Sequence, residues 1–144
     1  MTVRLSLIAI AFGLTIGITG ALYRTSGNRL FNELSATYVE LICNTPFLIQ
    51  LFFIFFGLPN LGLKLTAEQA ATLALAVNFG AYSTEIVRAG VESIHKGQVE
   101  AGLALEFKPI SVLRHVVITP ALANIYLALV GQVILAVLFT NVVS

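Results

Sequence analysis

Long apolar stretches alternate with short polar ones along this chain. Uncharged runs cover residues 5–23 (19 residues), 41–63 (23 residues) and 116–144 (29 residues), and a fourth covers 69–84 (16 residues). At 1.5 Å rise per residue, about 20 helical residues cross the hydrocarbon core of a bilayer, so the first three runs are long enough. The fourth reaches that length only if Glu85 and Arg88 lie at its interfacial end or face protein. The pattern predicts four helical spans, roughly 3–23, 40–59, 66–88 and 113–140.

Turn chemistry punctuates these spans. The segment 24–38, RTSGNRLFNELSATY, reads as a loop carrying Arg24 and Arg29. Gly57, Pro59, Asn60 and Gly62 stop the second span, and Thr66 with Gln69 three residues later forms a capping box that opens the third. Gly13 and Gly17 make a GxxxG pair in the first span with Gly20 on nearly the same side, a face that lets another helix approach closely. Thr15 and Thr19 can bond back to their own helix. Pro46 lacks an amide hydrogen and predicts a kink in the second span.

Composition turns this pattern into a class. Of 144 residues, 58% are hydrophobic and 10% charged, with a mean hydropathy of +0.94. A soluble domain carries roughly 25% charged residues, so these charges are too few to coat a globule. The chain is read as all-α, a polytopic bundle of transmembrane helices. The first 22 residues resemble a signal peptide poorly, since one Arg precedes an overlong apolar run and no small-residue cleavage pattern follows. Of the eight Lys and Arg, Arg24, Arg29, Arg88, Lys96, Lys108 and Arg114 fall on one side, and Arg4 and Lys64 on the other. The positive-inside rule puts the first side in the cytoplasm and the N-terminus outside.

The residues for catalysis are missing. The chain has no Asp, and GxxxxGK[ST], HExxH, GxSxG and paired-Cys patterns are all absent. Cys43 is single and reads as a small buried hydrophobe. His95 and His115 form no metal-ligand spacing. No catalytic residue, metal or cofactor is expected, and a net charge of +1 gives no reason to expect nucleic acid.

Residues 96–117, KGQVEAGLALEFKPISVLRHVV, interrupt the apolar pattern with five charges and a histidine while still looking helical. Residues 98–107 suit a short helix with Val99, Leu103 and Glu106 or Phe107 on one side. Gly97 is a natural break before it, Pro109 ends or kinks it, and Ser111 can cap the next helix. The composition leaves two readings open: an amphipathic helix resting at the headgroups, or a docking helix for a soluble partner.

The motifs then point to a family. EAGLALEFKPISVLRHVVITPAL at 100–122 resembles the EAA loop of bacterial ABC-importer permeases. NTPFLIQLFFIFFGLP at 44–59 and GAYSTEIVRAGVESIHKGQVEA at 80–101 are similar to motifs of the polar amino-acid uptake branch. The resemblance runs through most of the chain and implies a MetI-like permease fold. It further implies a permease subunit of an ATP-driven importer, with ABC ATPase subunits, a second permease subunit (identical or not) and a periplasmic or lipid-anchored solute-binding protein as partners. The setting would be the bacterial inner membrane and its lipid. Within the loop at about 95–115 it assigns ATPase coupling to Gly97, Glu100, Ala101, Gly102 and Glu106. Gly102 stands where the second Ala of EAA is usual, Glu106 where the family has Gly, Thr119 where it has Pro, and Asn44 where Gly precedes Thr-Pro. Five spans are usual in this family, so residues 1–144 are read as a partial transmembrane domain whose final helix is missing, as is the usual amphipathic lead.

A translocation path would run among polar residues inside the spans, where unpaired groups are costly in lipid. The candidates are Asn44, Thr45, Asn78, Tyr82, Glu85 and Gln132, with Gln50, Ser83, Asn124 and Asn141 also within spans. Glu85 can meet a substrate ammonium or pair with Arg88 at i+3. The rival to the importer reading is a stand-alone membrane carrier or channel without an ATPase.

Overall fold

The structure, a computed structural model, describes residues 2–25 and 27–143; Met1, Ser26 and Ser144 lie outside that range. Eight α-helical segments and no strand occur among the described residues: α1 (Thr2–Thr25), α2 (Arg29–Cys43), α3 (Phe47–Phe52), α4 (Leu58–Asn60), α5 (Ala67–Glu92), α6 (Lys96–Ala104), α7 (Pro109–Val112) and α8 (Thr119–Val143). Widened π-helical turns join α3 to α4 at Phe53–Gly57 and α7 to α8 at Leu113–Ile118. Each ends two residues before a proline, Pro59 or Pro120. A proline ring clashes with the carbonyl four residues back, and a wider turn gives it room. At the second, the Thr119 hydroxyl donates to the Arg114 carbonyl five residues earlier at 2.8 Å.

The centre of the bundle is α5. Its buried residues include Ala70, Ala71, Ala74, Leu75, Asn78, Phe79, Gly80, Ser83 and Thr84. The predicted capping box starts it: Gln69 N donates to Thr66 Oγ1, and Thr66 N to Gln69 Oε1. The glycine stripe of α1 lies on this helix, and a β-carbon on Gly17 would stand 2.5 Å from Ser83 Cβ. Gly13 faces Phe79, Gly20 faces Thr84, and Gly80 of α5 accepts Ile16 of α1 in return. Small residues let the backbones close up where no hydrophobic effect drives helices together. Thr15 and Thr19 bond to their own helix as expected. Across the bundle, the buried Ser6 and Thr140 hydroxyls share a 2.9 Å hydrogen bond that ties α1 to α8.

Two helices, Val3–Thr25 and Pro109–Val142, are long and apolar enough to cross a membrane. The second expected span, 40–59, is not one helix. It is replaced by Arg29–Cys43 and Phe47–Asn60, which meet at 104° and together make a broken span or re-entrant loop. What Pro46 contributes is therefore a break and not a kink, because the residue before it cannot stay helical. The segment expected to be a loop, 24–38, is helical from Arg29 onward. The Asn28 side chain caps that helix by accepting from Leu30 N at 3.1 Å, and Arg29 pairs with Glu33 one turn on. The third expected span, 66–88, folds as the 26-residue helix α5, which is less apolar than α1 and α8 and is not among the helices apolar enough to cross a membrane by composition. Because α1, α2 and α8 shield it, its sequence needs less hydropathy.

Candidate functional site

The break between α2 and α3 is closed by side chains. A helix C-terminus leaves carbonyls without intrahelical partners, and in lipid each would cost several kcal/mol. Here every one is used. Asn44 N donates to Glu40 O at 3.1 Å, and the Thr45 hydroxyl donates to Leu41 O at 2.7 Å. Gln50 Nε2 donates both to Ile42 O at 2.7 Å and to Thr45 O at 2.8 Å. The Tyr82 hydroxyl reaches Cys43 O at 3.4 Å. Gln50 Oε1 in turn accepts from Asn78 Nδ2 at 3.2 Å, so one buried side chain joins α2, the turn, α3 and α5.

Beneath this break lies a cavity of about 320 Å³, bordered by Cys43, Asn44, Thr45, Pro46, Phe47, Asn78, Tyr82, Gln132, Leu135 and Phe139. Phe47 stacks on Phe139 with ring centroids 4.7 Å apart, forming its apolar floor. Five of the path candidates thus meet: Asn44, Thr45, Asn78, Tyr82 and Gln132. The others do not line it. Gln50 sits behind the wall, Ser83 is buried toward Gly17, and Asn124 donates to the Ser93 hydroxyl at 2.9 Å elsewhere. Asn141 is likewise absent from the lining. Cys43, read as a buried hydrophobe, is only half-buried and borders the cavity. That location could not be read from a lone cysteine in an apolar run.

Glu85 lies one turn beyond Tyr82 and is engaged. Arg88 Nε sits 3.1 Å from both carboxylate oxygens, and Arg88 also pairs with Glu92. Arg24 of α1 approaches Glu85 at 3.9 Å. The i,i+3 pairing expected for Glu85 is the one observed, and the Arg24 contact extends it between helices.

The polar loop differs in detail from its expected form. Its helix, α6, covers Lys96–Ala104 instead of 98–107, so Gly97 lies inside the first turn and breaks nothing. His95 caps it, its Nδ1 accepting from Gly97 N at 3.4 Å. Ser111 is no cap, because α7 begins at Pro109, which suits a first helical position, and Lys108 precedes it. Glu106 lies beyond the helix end, so it cannot share the Val99 face as part of α6. Its φ is +59°, the only positive value at a non-glycine among the described residues. Phe107 N donates to Gly102 O at 3.3 Å and Glu106 N to Leu103 O at 3.0 Å. This is a Schellman ending with Glu at the position that glycine normally fills. Glu100 and Ala101 are exposed. Gly102 is buried, and a β-carbon there would meet Val112 at 3.2 Å.

The family of binding-protein-dependent transport system inner membrane components matches residues 9–144. The chain belongs to this family. Among relatives of this inner membrane component, the glutamine transport system permease protein GlnP of Escherichia coli K12 is 36% identical over 143 residues, covering 98% of this chain and 65% of the relative. A Rickettsia bellii relative is 36% identical over 135 residues, covering 93% of this chain and 62% of its own length. The chain thus spans a little under two thirds of the length of these curated relatives. A crystal structure of an amino acid ABC transporter with histidines superposes with a TM-score of 0.90 at 34% identity, over 99% of this chain and 67% of that one. An inward-facing MetNI methionine ABC transporter superposes at 0.72 with 25% identity, over 96% of this chain and 67% of that one. The fold is the MetI-like permease fold, a multi-pass bundle of apolar helices.

Proposed function

We propose that this chain is the membrane-spanning part of a permease subunit in an ATP-driven importer of polar amino acids, with ATP hydrolysis left to separate ABC ATPase subunits. The observation that carries this reading is the superposition over 99% of the chain on an amino acid ABC transporter at 34% identity. The glutamine permease named among the relatives supports a polar amino acid as cargo. A second permease subunit and a solute-binding protein complete the assembly, which works in the inner membrane. The six-to-two division of Lys and Arg supports a cytoplasmic α6–α7 loop and an outer N-terminus.

Coupling to the ATPase runs through the loop at about 95–115. Glu100 and Ala101 face outward, and the loop exposes Leu103, Leu105, Phe107 and Ile110 beside them. Apolar side chains ringed by charge suit a protein contact. Gly102 serves from inside, seating α6 against Val112 so that a push on the loop moves the long helix from Pro109. Gly97 and Glu106 shape the two ends of α6. The cavity under the α2–α3 break is a segment of the path. Co-purification with a matching ATPase tests the reading. Wild type retains the ATPase and Glu100→Lys loses most of it; equal recovery of both sinks the coupling role.

A further inference from the structure

The seam between α1 and α5 is closed by Gly13, Gly17 and Gly20, and just beyond Gly20 it ends in charge. Both buried side-chain polar atoms that lack a hydrogen-bond partner among the described residues belong to this part of the seam: Arg24 Nη1 and Ser83 Oγ. Ser83 faces Gly17, and Arg24 lies two turns further along α1. The hydroxyls of Thr15, Thr19 and Thr84 on the same two helices bond back to their own backbone, so Ser83 stands apart. Unmet buried polar groups are few in native proteins and each is costly, so two on one seam require a physical reason. The charges beside them supply one. Arg88 commits all three guanidinium nitrogens to two carboxylates, with Nε 3.1 Å from both oxygens of Glu85, Nη2 on the same carboxylate and Nη1 on Glu92. Arg24 Nη2 stands 3.9 Å from Glu85 Oε2, beyond hydrogen-bond reach. One guanidinium group holds both acids, and the other bonds to neither.

We propose that Arg24, Glu85, Arg88 and Glu92 form a two-position latch between α1 and α5, with Glu85 as the group that is passed. In the observed position Arg88 holds Glu85 and Glu92 together, all within α5. In the other, Arg88 keeps Glu92 and Glu85 turns to Arg24, which gains the acceptor that its buried nitrogen lacks. Neither position isolates a charge, and isolating one would be the strongly destabilising step. Two discrete arrangements close in free energy are what a switching element requires. The positions differ in what they fasten: the first ties α5 to itself, and the second ties α1 to α5. Glu92 ends α5, and α6 begins four residues on at Lys96, so displacement of the α6 loop acts on Glu92 first and weights the choice. That trigger rests on the importer reading; the latch itself does not.

The test is the change that Arg24→Met makes in the unfolding equilibrium constant of the purified protein in detergent, measured in three backgrounds. In Arg88→Met, where Glu85 has no other cation, Arg24→Met raises the constant about tenfold; in the otherwise native chain it does so less than about threefold. In Glu92→Gln, Arg88 has only Glu85 to hold, and Arg24→Met has no measurable effect. A fixed Arg24–Glu85 contact gives the same effect in all three backgrounds, and that result overturns the latch. The Hε–Nε NMR signal of Arg24 in protein carrying isotopically labelled arginine is a second readout that needs no unfolding. The native signal lies between those of Arg88→Met and Glu92→Gln, or splits into both. Should Arg88→Met fail to fold, Glu92→Gln decides alone. Its ion pair is with Arg88, so an Arg24 signal that Glu92→Gln leaves in place also overturns the proposal. The importer reading fails separately, through ATPase recovery, and takes with it only the trigger.

Discussion

Two turns of the chain, after Cys43 and after Ala104, are built in opposite ways. At the first, carbonyls ending α2 are met by Thr45 Oγ1, Gln50 Nε2 and the Tyr82 hydroxyl, from both sides of the break and from α5. At the second, the chain meets its own needs with backbone bonds from Glu106 N and Phe107 N. The difference follows from surroundings. An orphan carbonyl inside the bundle has no water to turn to, so side chains must be placed for it. At an exposed loop, water covers whatever the Schellman bonds leave open, and a strained residue such as Glu106 is tolerated. The first turn is fixed by long-range packing and the second by local geometry.

Three substitutions sharpen this contrast. The largest effect is expected from Gln50→Leu, which leaves the Ile42 and Thr45 carbonyls and the Asn78 amide without this partner. At about 1–3 kcal/mol for each buried group left unpaired, the loss is about 3 kcal/mol or more. Reversible unfolding in detergent, followed by helical circular dichroism, measures it. Faster labelling of Cys43 accompanies it as the break loosens. A loss under about 1 kcal/mol would mean that the break does not depend on side chains.

Glu106→Gly acts at the other turn and in the opposite direction. Relief of the left-handed conformation gains about 1–2 kcal/mol, and the added freedom of unfolded glycine returns part of it. A net gain of about 0.5–1 kcal/mol in the same assay is expected. A loss would show that the Glu106 side chain makes a contact worth more than its strain. Smallest is Tyr82→Phe. Its bond to Cys43 O is long at 3.4 Å, so its removal costs about 0.5 kcal/mol and leaves the fold intact. Cys43 labelling rises less than twofold. An effect as large as that of Gln50→Leu would make Tyr82 the main fastening of the break.

Local signals in the sequence were legible wherever the chain supplies both halves of an interaction. The Thr66–Gln69 capping box, the Gly13–Gly17–Gly20 stripe and the Glu85–Arg88 pair are all three or four residues apart, and helical geometry alone brings such residues together. The span at 40–59 misled because apolarity reports depth in lipid and not direction. A break with its carbonyls satisfied looks the same to hydropathy as a straight helix. The ends of α6 were misplaced for another reason: Glu106 hides a turn that glycine would have advertised.

The sequence by itself determined the class, the apolar segments and the polar interruption between them, because length, charge and spacing act locally. Only the tertiary structure decided which polar residues are structural and which remain free. Gln50 and Asn78 lie 28 residues apart, and Tyr82 meets a carbonyl 39 residues away. Polarity tells that a buried group needs a partner. Which groups become that partner, as the Ile42 and Thr45 carbonyls do for Gln50, depends on helices meeting in space.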